Sequence, residues 1–140
     1  MSNAKIDFSA LKLTVMDFNA YSHTDPEIFI NRNNITFSRG VLETLNYPAY
    51  VQYLIDPKSH VFAVRACKGN ETKAKPFSKP RDEQNATVSS GVKAMHDAVA
   101  RLIPNYSDVK RYKVEGQFFP EEKVICFLMT DAEVKMFHKE

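Results

Sequence analysis

Four histidines and two cysteines are the first residues in this 140-residue chain to test for catalysis or metal binding. His23, His60, His96 and His138 include no pair four apart and no neighbouring cysteine ligand, so the spacing of a tetrahedral zinc site is missing. His96 and Asp97 set a base beside an acid, but adjacent residues on a helix point in different directions. There is no nucleophile elbow, phosphate loop or dinucleotide fingerprint. Ser38 and Ser89 are the hydroxyls that recur in a shared context, and helix capping explains them better than nucleophilic attack. The remaining chemistry is electrostatic. Arg32, Arg39, Lys93 and Arg101, with Lys110 and Arg111 in reserve, are the cations suited to phosphate contact. Neither catalytic residue, metal nor cofactor is expected.

Composition limits what those cations can do. A formal net charge of +2 and a pI near 8.5 permit contact with nucleic acid without amounting to an electrostatic footprint, so local arrangement must carry any such claim. With 44% apolar and 26% charged residues the chain has the make-up of one packed domain. Cys67 and Cys126 lie in apolar runs and read as small buried hydrophobes. No apolar segment is long enough to span a bilayer and no signal-peptide pattern opens the chain, so the expected location is cytoplasmic.

The elements that would position the cations come in a repeated order. Residues 1–26 read as an N-terminal arm in which Leu11–Phe18 alternates as a strand. EIFI and ITF flank Asn31, Arg32, Asn33 and Asn34, which predicts a hairpin with Arg32 at its tip and asparagines that tolerate positive φ. Ser38 then caps a short helix that buries Val41, Leu42 and Leu45 and ends before Pro48. AYVQYLI and HVFAVRA form a second hairpin about Asp56, Pro57, Lys58 and Ser59. Residues 68–85 read as a linker with five basic residues, Lys68, Lys73, Lys75, Lys79 and Arg81. Beyond it the phrase ITFSRGV returns as ATVSSGV. Ser89 is expected to cap a helix reaching Ile103, followed by KRYKVEGQF and EKVICFLM about a turn at Pro120. The expected architecture is α+β: two strand-helix-hairpin units, 27–67 and 86–134, sharing one core, with a tail at 135–140.

Residues 35–66, ITFSRGVLETLNYPAYVQYLIDPKSHVFAVRA, resemble the AbrB/MraZ-like swapped-hairpin domain, in which a strand feeds a short helix and then a strand hairpin. Residues 86–130 form a possible second copy. Where that family places a Leu-Gly-aliphatic step, Leu45, Asn46 and Tyr47 stand here, with Asn46 at a position that calls for positive φ. Most of the chain also resembles a set of small bacterial proteins sharing the phrases ITF-S…L-YP-YV-LID and Y-VEG…EEK-I-F-L, a likeness that brings no activity with it.

The AbrB/MraZ resemblance implies a transcription regulator that binds double-stranded DNA, as a homodimer or as a pseudo-dimer within one chain. The chain departs from the pattern where the family commonly carries adjacent basic residues in the helix: Leu42 and Glu43 stand in the first unit, Lys93 and Ala94 in the second. A glutamate there repels phosphate. The alternative is a non-catalytic protein-interaction module that kept the fold without DNA binding. Tyr50 and Tyr53 fall on opposite faces of their strand, so one of them is expected at the surface, where it suits a dimer or protein partner.

Overall fold

The computed structural model describes residues 8–10, 12–13, 25–85 and 87–135. The strand expected at Leu11–Phe18 therefore lies outside the described residues except for Lys12 and Leu13. A mostly-β architecture replaces the α+β expectation. Nine strands are described: β1 (Glu27–Ile30), β2 (Ile35–Phe37), β3 (Tyr50–Asp56), β4 (Val61–Cys67), β5 (Lys75–Pro76), β6 (Val88–Ser90), β7 (Arg111–Phe119), β8 (Val124–Leu128) and β9 (Glu133–Lys135). Two short helices, α1 (Arg39–Thr44) and α2 (Lys93–Ala100), pack against them. Eight strands form one antiparallel, curled half-barrel in the order β5-β3-β4-β8-β7-β1-β2-β6, and β9 pairs with β7.

Alternation along the strands builds the core. Ile28, Ile30, Ile35, Phe37, Val51, Phe62, Val64, Val114, Ile125 and Phe127 point to the concave side and are buried. The helices close that side with Val41 and Leu45 from around α1, and with Val99, Leu102 and Ile103 from α2 and the turn after it. Phe37 joins the layers: its ring lies 5.9 Å from Tyr53, 6.5 Å from Phe62 and 5.2 Å from Phe77. Phe77 belongs to the stretch read as a linker. Residues 68–85 instead contribute β5, which pairs with β3, and this core aromatic.

Both capping expectations change. Ser38 occupies the N-cap of α1, but its hydroxyl makes no cap bond; it accepts from the Glu27 amide at 3.0 Å and donates to the Asp25 carbonyl at 3.3 Å, holding the start of β1 to the end of β2. Ser89 caps nothing, because it lies within β6, its hydroxyl 3.0 Å from that of Thr36 on β2. The helix behind it starts at Lys93, after Val92, and ends at Ala100 rather than Ile103. The hairpin tip at Asn31–Asn34 forms without positive φ; side-chain bonds from Asn31 Nδ2 to Asn34 Oδ1 and Thr36 Oγ1 close it. Asn46 does adopt positive φ, 62°. Tyr50 is the outward tyrosine, 38% exposed, while Tyr53 stacks inside.

The recurring phrase is also a recurring register. β2 and β6 pair antiparallel with Phe37 opposite Val88, the residues that match when ITFS is laid on ATVS. β4 and β8 pair with Ala63 opposite Cys126, sixty-three residues apart. That same interval separates the two turn prolines, Pro57 and Pro120, and the positive-φ residues that close the turns, His60 (58°) and Lys123 (57°). It also relates two backbone bonds between the hairpins, Ala66 N–H to Lys123 O at 3.0 Å and Met129 N–H to His60 O at 2.8 Å.

Gly116 marks where β7 changes partner on its way from β8 to β1. A Cβ there would stand 2.4 Å from Ile125 Cγ2 and 2.7 Å from the Phe127 ring. Gly116→Ala is expected to destabilise the fold by about 1–3 kcal/mol through overpacking, read as a lower urea midpoint at unchanged slope. Burial pushes the Tyr53 phenol up to about 12. Stability from this proton is complete below pH about 10 and is lost as pH rises toward 12, because the unfolded tyrosine ionises first; the loss reaches about 2–3 kcal/mol. Phenolate absorbance during alkaline titration should show one tyrosine ionising last, and Tyr53→Phe should remove that step.

Candidate anion-binding groove

A groove of about 820 Å³ opens between the β1–β2 tip and α2. Arg32, Lys93 and Arg101 line it, together with the acids Asp97 and Asp108. Arg32 reaches it from the hairpin tip, Lys93 from the first residue of α2 and Arg101 from the C-cap. Lys93 spends its charge locally, with Nζ 2.8 Å from Asp97 Oδ2 one turn on. That hydrogen bond is the main reason the Asp97 carboxyl is held below its ordinary range. Among the described residues Arg32 and Arg101 have no ion-pair partner.

The floor of the groove is His96, 7% exposed. Its Nε2 lies 2.5 Å from the Asn31 carbonyl and therefore donates to it, which tethers the hairpin tip to α2. Its Nδ1 lies 3.7 Å from Asp97 Oδ1, so the helical neighbours expected to point apart do meet. Tyr106 approaches the imidazole edge-on at 6.3 Å and stacks on Tyr112 at 5.2 Å. Its hydroxyl is buried and has no hydrogen-bond partner among the described residues. Burial, with Asp108 next, raises its pKa.

The other nominated cations stand elsewhere or are engaged. Arg39 opens α1 and is not part of this lining. Arg111 donates from Nε to Asn31 Oδ1 at 2.9 Å and lies 4.3 Å over the Phe29 ring, so it braces the tip from behind. Lys110 is exposed in the preceding turn and lines no part of the groove. Of the basic residues at 68–85, Arg81 lies 5.8 Å over the Tyr47 ring, and none reaches the groove. Tyr106 and Asp108 are groove residues that sequence reasoning did not single out, and it weighed His96 and Asp97 only as an acid–base pair. An Asn-rich tip and a helix histidine give no sign of pairing across sixty-five residues.

Asp25, Glu27 and Glu115 bring three carboxylates within 4.8 Å of one another. The Lys113 ammonium stands 3.4 Å from Glu27 and 3.6 Å from Glu115, so one amine offsets part of this cluster's charge. Burial pushes both cysteine thiols up, the direction opposite to a reactive thiolate. No described helix is long and apolar enough to cross a membrane.

Asp97 is the carboxylate that engages the groove cation Lys93. Asp97→Asn releases Lys93 and adds one net positive charge, so affinity for phosphate should rise several-fold at low ionic strength, as read by isothermal titration calorimetry. No protein-family model, curated protein or solved structure matches this chain.

Proposed function

We propose that this chain is a DNA-binding transcription regulator of the swapped-hairpin type, with both strand-helix-hairpin units in one polypeptide. An exchange of strand partners supports the swapped arrangement. β1 precedes the first helix but pairs with β7 after the second, while β5 precedes the second helix and pairs with β3 after the first. The two self-matching registers, Phe37 opposite Val88 and Ala63 opposite Cys126, are those of two units facing each other about a two-fold axis.

The observation that carries the DNA reading is the convergence of Arg32, Lys93 and Arg101, three of the six cations nominated from the sequence, on a single open groove. Exposed arginines without an internal partner can release counterions from a duplex when they meet phosphates. A fixed hairpin tip holds one of them at a defined distance from the helix, which suits positioning on a backbone. The protein-interaction reading rests on a different face: Leu54 on β3, and Leu128 and Phe119 on the adjacent strands β8 and β7 across β4, are all more than a third exposed.

Fluorescence anisotropy on mixed duplex DNA across a salt series tests the regulator reading. Affinity should fall linearly in log salt, and Arg32→Ala or Arg101→Ala should each lower the slope by about one. Arg39→Ala, outside the groove, should leave the slope nearly unchanged. Absence of binding at low salt would remove the regulator reading and turn attention to the apolar face.

A further inference from the structure

We infer that the chain grips its phosphate-bearing partner on one side only, at the α2 groove, so that a sheet with two-fold register presents an unsymmetrical recognition surface. The inference rests on the swapped-hairpin reading above and deepens it. A homodimer of swapped hairpins repeats every contact about its axis, and its DNA site mirrors that symmetry. Here the sheet keeps the two-fold register while the surroundings of the two helices diverge.

Three differences separate the helices. In the register that sets Phe37 opposite Val88, His96 of α2 corresponds to Leu45 at the end of α1, and both are buried. Leu45 packs into the apolar core, whereas His96 spans to the Asn31 carbonyl and fixes the tip that carries Arg32. The second difference lies in the segments between the strands that precede each helix. Between β1 and β2 that segment is a four-residue tip whose Arg32 stands open to the groove. Between β5 and β6 it is a long stretch pinned to α1's exit, with Ser78 bonded to the Pro48 carbonyl and Arg81 laid on the Tyr47 ring. The arginine on that side is already engaged with an aromatic face.

The third difference is the connection that leaves each helix. Leu45–Ala49 joins α1 to β3 in five residues, while Arg101–Lys110 joins α2 to β7 in ten. The longer connection supplies Arg101, Tyr106 and Asp108 to the groove. His60 Nδ1, 2.8 Å from the Leu102 carbonyl, holds its beginning against the β3–β4 turn. In that register Lys93 corresponds to Leu42, and Arg39, the exposed cation that opens α1, lies outside the groove; a single exposed charge is worth little by itself.

Amide NMR of the full chain, titrated first with sodium phosphate and then with a short duplex, tests this. Phosphate should shift the amides of Arg32, Lys93 and Arg101 along one saturation curve and leave those of Arg39 and Arg81 in place. The duplex should bind one-to-one with the same set shifted and a single protected patch in a hydroxyl-radical footprint. Arg101→Ala should weaken phosphate about tenfold, and Arg39→Ala should leave it unchanged. Equal shifts around α1 and α2, two phosphates per chain, or two footprint patches related by a dyad would overturn the inference. Phosphate at the α2 groove without duplex binding would support the one-sided site and reject the regulator reading. No shift with either probe would overturn both.

Discussion

Short strands cannot shield their own edges, and this constraint shapes the whole molecule. β2 and β6 have three residues each and β5 has two; none could persist as an isolated hairpin in water. Each is held by a partner distant in sequence. β6 lies on β2, β5 on β3, and β1 on β7, so the backbone groups of one half are satisfied by the other. The pairing of Phe37 with Val88 and of Ala63 with Cys126 lets both hairpins present their apolar residues to one concave face. A slip of one residue in the Ala63–Cys126 pairing would turn a buried ring, Phe62 or Phe127, outward, and one in the Phe37–Val88 pairing would do the same to Phe37.

The groove is a consequence of that pairing. Placing β6 beside β2 brings the start of α2 under the β1–β2 tip, within reach of the Asn31 carbonyl. His96 then takes a position that would otherwise need an apolar side chain, and its buried nitrogen finds a backbone acceptor instead of remaining unsatisfied. Arg111 reaches the same asparagine through its side chain, so the tip is braced from α2 and from β7 together. Arg32 extends from a tip whose backbone is already bonded, which is how a residue on an exposed loop acquires a defined position. The acids Asp97 and Asp108 line the same groove and offset part of its positive charge.

Much of the strand pattern was legible along the chain because it depends on local alternation and on turn chemistry. The β3–β4 and β7–β8 hairpins appear where proline-bearing turns separate apolar runs, and the β1–β2 hairpin appears about its asparagines. The linker reading of residues 68–85 failed because charge density dominates that composition, while a single Phe77 is enough to dock it into the core. The capping reading of Ser89 failed for a related reason: its hydroxyl bonds to Thr36, a residue on a strand fifty-three positions earlier. Of the groove, the cations were legible as residue types, and His96 was visible only as a helical position without a spaced partner.

The sequence by itself determined the β1–β2, β3–β4 and β7–β8 hairpins, the two turn prolines, the positive-φ demand at Asn46 and the recurrence of Thr, Ser, Gly and Val around Phe37 and Val88, because each is written in residues close along the chain. Only the tertiary structure decided that the recurring strands face each other, that Arg32 joins Lys93 and Arg101 while Arg39 stays apart, and that His96 holds the tip. Those outcomes depend on which distant edges pair and on the length of the connection after each helix. Backbone hydrogen bonding between strands is blind to side-chain identity, so the choice among partners is made by the core they bury together.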